Sequence, residues 1–255
     1  MHNLKNLIAY TVLLAALVIT SQEPLTNVLA QTEAVAPDLR SAATFVALAS
    51  STLTNTGSGV FIGNVGVFPG TEVTGFPPGT VRHGSIYMGG PIPELAQVDA
   101  QIAYDDLAGQ VCNVQLTGQD LGGMILTPGV YCFNTSAQLT GDLVLDGLDN
   151  PEAVWVFQMG STLTSASAST VETINDGRAV NVFWQVGSSA TLGTGTQFAG
   201  NILADASITL DTGARLIGRA LALNGAVVID TNGTDLPISN TPFYEFLYFP
   251  LVMRP

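Results

Sequence analysis

The stretch GNILADASITLDTGARLIGRALALNGAVVIDTNG, residues 200–233, repeats itself within its own length. GNILA at 200–204 returns as GRALA at 218–222, and ITLDT at 208–212 returns as VVIDT at 227–231. Periods near 20 residues are typical of chains whose successive coils stack on one another. The repeat therefore predicts a β-solenoid. The competing architecture, a two-sheet sandwich, would not require this register.

Within the repeat, apolar residues alternate with small residues. Successive side chains of a strand point to opposite faces, so one set is expected inside the coil and the other outside. The inward set is expected to be Ala190, Leu192, Ile208, Leu210, Val227 and Ile229. The outward set is expected to be Ser189, Thr191, Ser207, Thr209, Ala226 and Val228. Stacked coils would arrange these outward residues in columns about 4.8 Å apart.

One segment departs from the strand-and-turn pattern of the rest of the chain. ELAQVDAQIAYDDL, residues 94–107, has apolar residues at helical spacing. Pro91 and Pro93 suit the start of a helix, and Gly109 suits its end. We therefore predict an all-β fold, a solenoid, with one long flanking α-helix at about 93–108.

The composition excludes two classes of protein. The formal net charge is −13, and Lys5 is the only lysine. Because a nucleic-acid-binding domain needs a basic face, that class is excluded. Only 11% of the residues are charged and 47% are hydrophobic, so the chain is not a disordered acidic segment either.

Both ends of the sequence differ from the middle. Lys5, an apolar run and a small-residue cleavage site at Ala30 predict a secretory signal peptide at 1–30, with an N-terminal anchor as the alternative. Residues 31–37 are expected to form a short linker. The apolar segment 237–255 is interpreted as a cap, a last strand that covers the open end of the solenoid, or as a sorting or association tail.

The cysteine and histidine content limits the chemistry further. Cys112 and Cys132 are an even pair in a chain expected to be secreted, which favours a disulfide over two free buried thiols. His83 is the only histidine beyond the predicted signal peptide, and no CxxC pair is present. A metal site is therefore not expected.

Several segments carry a family resemblance when they are taken together. They are LRSAATFVALASSTLTNTGSGVFIGNVGVFPGTEVTGFPPG (39–79), QVDAQIAYDDLAGQ (97–110), LTGQDLGGMILTPGVYCF (116–133), and GNILA with GRALA. They resemble the ice-binding-like adhesin family of secreted microbial proteins over residues 38–236. The resemblance implies a right-handed discontinuous β-helix of triangular section with a helix along it. It also implies that the N-terminal coil lies in the middle of the stack.

The resemblance also implies a function and a site. Members bind ice through one flat β-face, often with a Thr-Ala/Gly-x-Thr/Asn motif on neighbouring coils, and no metal or cofactor is expected. The motif carried onto this chain predicts the ice-binding residues Thr54, Thr164, Ser189, Thr191, Ser207, Thr209, Ala226 and Val228. The expected protein is a secreted monomer whose partner is the ice crystal surface, and the cysteine pair would pin a capping region after the helix.

The residues leave two other functional classes open. Some β-helices cleave polysaccharides, and Asp211 and Asp230 align between coils with Asp205, Arg215 and Arg219 nearby. Both aligned aspartates precede Thr-Gly or Thr-Asn-Gly, which indicates turn residues instead. The third class is a cell-envelope adhesin or structural solenoid without ice activity, associated with the cell surface through the C-terminal tail.

Overall fold

Short strands dominate the computed structural model, which describes residues 33–230 and the strand at 238–239. The predicted signal peptide at 1–30 lies outside these residues, and so does most of the predicted cap or tail. The strands before the helix are β1 (Phe45–Ala49), β2 (Thr52–Asn55), β3 (Val60–Ile62), β4 (Asn64–Val67), β5 (Glu72–Thr74), β6 (Thr80–Arg82) and β7 (Ile86–Met88). The helix α1 covers Pro91–Ala108.

The strands after the helix complete the described chain, with short 3₁₀ segments at Arg40–Thr44 and Ala179–Asn181. They are β8 (Val114–Gln115), β9 (Ile125–Leu126), β10 (Gly129–Phe133), β11 (Ala137–Leu139), β12 (Asp142–Asp146), β13 (Trp155–Met159), β14 (Leu163–Ser165), β15 (Thr170–Ile174), β16 (Val182–Val186), β17 (Ala190–Leu192), β18 (Gln197–Ala199), β19 (Asn201–Ala204), β20 (Ile208–Leu210), β21 (Arg215–Ile217), β22 (Ala220–Ala222), β23 (Val227–Ile229) and β24 (Ile238–Ser239).

The strands form three parallel sheets, which we name faces A, B and C. Each complete turn of the chain contributes one strand to each face in that order, and the strands β7, β8 and β9 next to the helix belong to incomplete turns. The strand order of face A is β7-β4-β1-β22-β19-β16-β13-β10-β8. The order of face B is β11-β14-β17-β20-β23-β2-β5, and that of face C is β6-β3-β24-β21-β18-β15-β12-β9. Stacked coils in parallel register confirm the solenoid and exclude the two-sheet sandwich.

The stack is discontinuous in sequence. The first strand, β1, pairs with β4 on one side and with β22 on the other, where Ala47 aligns with Ala220. In the same way β2 lies between β5 and β23, and β3 lies between β6 and β24. The N-terminal coil therefore lies inside the stack, as the family resemblance implies, and the fold is a discontinuous β-helix.

The interior of the coils is filled by the predicted inward residues. Ala190, Leu192, Ile208, Leu210, Val227 and Ile229 are all fully buried, which confirms the alternation read from the repeat. Larger side chains fill the wider coils, where Tyr131, Phe157, Trp184 and Phe198 form a continuous row with ring centroids 4.0–5.4 Å apart. Close packing of this kind makes the coil interior rigid.

The helix α1 covers face A because both surfaces are apolar where they meet. Face A presents Phe45, Leu48, Val156, Phe183, Leu203 and Leu221 outward, and all are buried. The helix presents Ala96, Ala100, Ala103 and Leu107, each 0% exposed. Alanine side chains let the helix axis approach the sheet closely. The helix begins two residues before the predicted position 93, because Pro91 takes the first helical position, where a missing N–H costs nothing.

The carboxyl end of α1 is attached to the stack in three ways. The Gln158 side chain donates hydrogen bonds to the carbonyl oxygens of Leu107 and Gln110, at 2.7 and 2.9 Å. A disulfide joins Cys112, just after the helix, to Cys132 on β10. Val35, in the predicted linker, exchanges backbone hydrogen bonds with the Gln110 side chain. Within the described residues, no helix is long and apolar enough to cross a membrane.

The middle of α1 is attached to the N-terminal coil through Asp99. This buried carboxylate accepts hydrogen bonds from the backbone amide and the hydroxyl of Ser41, and Arg40 lies 3.6 Å away. The hydrogen bond from the Ser41 side chain lowers the pKa of Asp99 below its usual value and outweighs burial, which raises it. A carboxylate with a lowered pKa adds stability above its unfolded pKa, and this stability is lost as the pH falls through its folded pKa.

Asp99→Asn should lower the free energy of unfolding by about 1–3 kcal/mol at neutral pH, because the partly buried donors of Ser41 lose a charged acceptor. The deficit relative to the unsubstituted protein should shrink below about pH 4, where aspartates begin to be protonated in the unfolded chain. Urea denaturation at several pH values measures both effects. Asp106→Asn, at an exposed position of the same helix, is the control. An equal deficit at neutral and acidic pH would contradict this role of the charge.

Candidate functional site

Face B is the face of the solenoid that the described residues leave uncovered and that is neutral at its centre. Face A is covered by α1. Face C carries charged side chains at outward positions of its strands, including Asp142 and Asp146 on β12, Glu172 on β15 and Arg82 on β6. Face B has none on the outward positions of its five central strands, β14, β17, β20, β23 and β2.

The central feature of face B is a single column of outward residues, one from each coil. Backbone pairing aligns Thr164 with Thr191, Thr191 with Thr209, and Thr209 with Val228 without a register shift. The column continues through Thr54, which aligns with Val228 and with Thr74. Residues 54 and 228 meet only because the N-terminal coil is inserted next to the last repeat. We call this set, Thr164, Thr191, Thr209, Val228, Thr54 and Thr74, the threonine column.

Five of the six residues of the threonine column, all except Thr74, are held in place by buried neighbours on both sides in sequence. Thr209 lies between Ile208 and Leu210, and both neighbours are 0% exposed. The same pattern recurs at Thr191 and Val228. Thr191, Thr209, Val228 and Thr54 are half-buried, while Thr164 and Thr74 are exposed. Each column residue therefore presents only its outer side to solvent, and neighbouring hydroxyls can approach each other, as those of Thr54 and Thr74 do at 3.4 Å.

A second column lies two residues earlier on each strand. Its members are Thr162, Ser189, Ser207, Ala226 and Thr52, as the register of the following residues requires. Here the serine hydroxyls bind the next coil, because Ser207 N–H donates to Ser189 Oγ at 3.3 Å and Ala226 N–H donates to Ser207 Oγ at 3.1 Å. These serines therefore connect adjacent coils and each keeps a hydroxyl proton for an outside acceptor.

The two ends of the columns differ from the centre. Glu72 aligns with Thr52 on the terminal strand β5 and is exposed. At the opposite end Gln138 aligns with Thr164, and the backbone of Asp120 pairs with that of Gln138 in an isolated β-bridge. Charged groups thus appear where the neutral array ends. The flanking corners also carry aspartates, among them Asp205 and Asp230.

These corner aspartates stabilise turns. Asp230 accepts hydrogen bonds from the hydroxyls of Thr56 (2.6 Å) and Thr212 (2.7 Å), and the bond from Thr56 is the main reason that its pKa is lowered. Asp205 accepts a hydrogen bond from the Asn224 side chain at 3.0 Å. Each carboxylate therefore connects adjacent coils, as the turn interpretation of the sequence expects.

The arginines considered for catalysis have structural contacts. Arg219 is buried and donates to Asn201 Oδ1 and to the carbonyl oxygen of Ala43, and burial lowers its pKa to about 10. Arg215 is buried on β21. His83 is exposed in the loop after β6. Among the described residues, no group of three or more His, Cys, Asp and Glu side chains is arranged to hold a metal ion.

All eight residues predicted for the site lie on face B. Thr54, Thr164, Thr191, Thr209 and Val228 form one column, and Ser189, Ser207 and Ala226 belong to the other. Sequence reasoning missed Thr74, which belongs to the threonine column. The signal was present, since Thr52-Leu53-Thr54 returns as Glu72-Val73-Thr74 at a spacing of 20 residues.

Comparisons with known proteins identify close relatives. The family model described as ice-binding-like matches residues 47–235. An ice-binding protein from Nostoc sp. (strain HG1) is 56% identical over 206 residues, which cover 79% of this chain and 76% of that protein. Two crystal structures are also similar. One is an ice-binding protein from an Antarctic biological consortium, with 41% identity, a TM-score of 0.76, and coverage of 79% of this chain and 91% of that one.

The second crystal structure is an ice-binding protein from the Antarctic ascomycete Antarctomyces psychrotrophicus. It has 36% identity and a TM-score of 0.76, and the match covers 81% of this chain and 100% of that one. These levels of identity extend the similarity from the fold to the sequence of the coils themselves.

Neighbouring substitutions should separate the inside of the coil from its outside. Ile208→Ala removes a fully buried side chain and should lower the free energy of unfolding by about 2–5 kcal/mol. Thr209→Ala changes only the outer surface and should change it by no more than about 0.5 kcal/mol. Urea denaturation of the two variants provides the measurement. Equal losses at the two positions would contradict the alternation on which the site depends.

Proposed function

This chain belongs to the ice-binding-like family, and on that premise we propose that it is an antifreeze protein that adsorbs to ice crystals through face B. Adsorption would block crystal growth or recrystallisation. The observation that carries this proposal is the threonine column. It is a regular and neutral array in which each successive coil contributes one residue.

The spacing of the array suits a lattice as a ligand. Stacked strands repeat at about 4.8 Å, and alternate residues along a strand are about 6.6 Å apart. The two columns of face B therefore form a two-dimensional grid instead of a pocket. An ice surface carries no charge and has no protruding chemical group that a pocket could enclose. A flat, regular surface is therefore the kind of site that can bind it.

Threonine suits such a grid for two reasons. Its methyl group is apolar, while its hydroxyl both donates and accepts hydrogen bonds, so one side chain can order water of mixed character. Its branched Cβ restricts χ1, and burial of both sequence neighbours restricts it further. Little conformational freedom is then lost on adsorption, which is the energetic advantage of preorganisation. Val228 keeps the shape of threonine and lacks only the hydroxyl.

The neutrality of the central coils supports the same proposal. A charged side chain retains its own hydration shell and would disturb ordered water beside it. The outward positions of β14, β17, β20, β23 and β2 carry Thr, Ser, Ala and Val, and the charges begin at Glu72, Asp120 and the corners. This distribution favours face B over face C as the adsorbing surface.

The cellular setting follows from the proposed function. An ice crystal is encountered outside the cell, and the N-terminal sequence has the features of a secretory signal at 1–30. The disulfide between Cys112 and Cys132 also suits an oxidising compartment. We therefore propose that the protein is secreted and acts as a monomer, without a cofactor and without enzymatic activity.

Thr209→Arg should abolish ice shaping and recrystallisation inhibition, because it places a bulky charge in the middle of the threonine column. Its free energy of unfolding should change by no more than about 0.5 kcal/mol, since the position faces solvent. Thr80→Arg is the matched control, as Thr80 is an exposed strand threonine on face C. Recrystallisation assays on purified protein measure the effect. Unchanged inhibition by Thr209→Arg, or equal loss in the control, would remove face B from consideration.

Glu72→Thr should increase thermal hysteresis, because it removes the charge at one end of face B and extends the neutral array by one position. Glu172→Thr, which removes an exposed charge from face C, should leave thermal hysteresis unchanged. Both variants change the net charge equally, so the comparison isolates the location of the charge. A similar increase in both variants would attribute the effect to net charge instead of to face B.

A further inference from the structure

An apolar stripe on α1 remains uncovered by the described residues. Ile92, Leu95 and Val98 are 51%, 55% and 52% exposed, and they recur every third residue along the helix. Met88, on the strand β7 just before the helix, is 61% exposed. Residues three apart on a helix are neighbours on its surface, so Ile92, Leu95 and Val98 lie along one side of α1. Large exposed apolar side chains that are grouped together are typical of a surface that packs against another apolar segment, a ligand or a membrane.

The last described strand, β24, ends at the corner between faces C and A. Ser239 on β24 aligns with Ile217 and Ile62, each the last residue of its own strand. In those neighbouring coils Gly218 and Gly63 follow and turn the chain into face A.

The coil that ends in β24 cannot continue in this way. Face A has no free position at that level, because β22 and β1 are hydrogen-bonded directly to each other. The face A position that would follow β24 is therefore already occupied by β1.

This corner is also where the helix meets the N-terminal coil. The Arg40–Thr44 segment precedes β1 at the same corner, and its Ser41 donates to Asp99 in the middle of α1. The end of β24 is thus one coil away from a segment that already contacts the helix.

We propose that the C-terminal segment of this same chain, residues 241–255, packs on the stripe formed by Ile92, Leu95 and Val98. The segment includes FYEFLYFPLVM at 243–253, which is almost entirely apolar. Fifteen residues in extended form span about 50 Å, while the 18-residue helix is about 27 Å long. Both the composition and the reach of the segment match the stripe.

A second copy of the protein is a poorer occupant. A stable interface between two proteins buries about 800 Å² on each partner and involves about 20–30 residues a side. The stripe offers a few partly exposed side chains and is far smaller. It is large enough for one short segment that is already covalently attached and therefore at high effective concentration.

The packing has a structural consequence for the helix. With the segment in place, α1 would be enclosed between face A and the C-terminal residues, so its N-terminal half would gain an attachment to match the Gln158 and disulfide contacts at its C-terminal end. This proposal is independent of ice binding, because face B is a different face of the stack.

Photo-cross-linking in the full chain tests the proposal. Leu95→p-benzoylphenylalanine places a photoreactive group in the stripe, and this probe is needed because the chain after residue 5 has no lysine for amine cross-linkers. Unlabelled and ¹⁵N-labelled protein are mixed, irradiated and mapped by mass spectrometry. We expect cross-links from position 95 to residues 241–255 of the same chain, so that both cross-linked peptides carry the same nitrogen isotope. Ala108→p-benzoylphenylalanine, at an exposed position near the opposite end of α1 and on another side of the helix, is the control and should not capture this segment.

Three outcomes would overturn the proposal. They are cross-links between labelled and unlabelled chains, capture by position 95 of other residues only, and equal capture of 241–255 from position 108. A second measurement is amide hydrogen exchange of the full chain. Leu95→Asp should raise exchange in residues 241–255 several-fold, and Asp105→Asn should not. Unchanged exchange in Leu95→Asp would contradict the packing even if the variant folds normally.

Discussion

The parallel hydrogen bonding between successive coils is the constraint on which the rest of the structure depends. Every backbone amide that joins one coil to the next also fixes which residue stands above which. The threonines of face B, the aromatic row in the core and the buried leucines of face A are consequences of this one register. A shift by one residue on any coil would turn its outward side chains into the core.

The three faces differ in burial and charge because each coil presents different side chains outward on each face. Face A presents large apolar side chains, and these require the helix as a cover. Face C presents carboxylates and an arginine, which keep it solvated. Face B presents small side chains whose hydroxyls either connect neighbouring coils or point to solvent, so it can remain uncovered. The same backbone therefore supports a buried, a charged and a neutral surface through side-chain choice alone.

The sequence predicts local features of this structure better than distant ones. The repeat at 200–233 predicted the inward residues and the alternation of face B, because the period of a strand is a local property. The helix was predicted to within two residues for the same reason. The insertion of the N-terminal coil beside β22 joins residues about 170 positions apart, and no local pattern specifies it; the family resemblance alone indicated it. Thr74 was missed because its coil carries Glu72 at the first threonine position.

The discontinuous stacking also has a consequence for how the molecule is made. Thr54 is synthesised early, but Val228, which it stacks on in the β22–β24 coil, follows 174 residues later. The N-terminal coil therefore remains unpaired on that edge until β22–β24 have been synthesised, and a chain terminated before them cannot join the two halves of its array. Contacts of such long sequence separation slow folding. The complete array therefore forms only when β22–β24 pair with β1–β3.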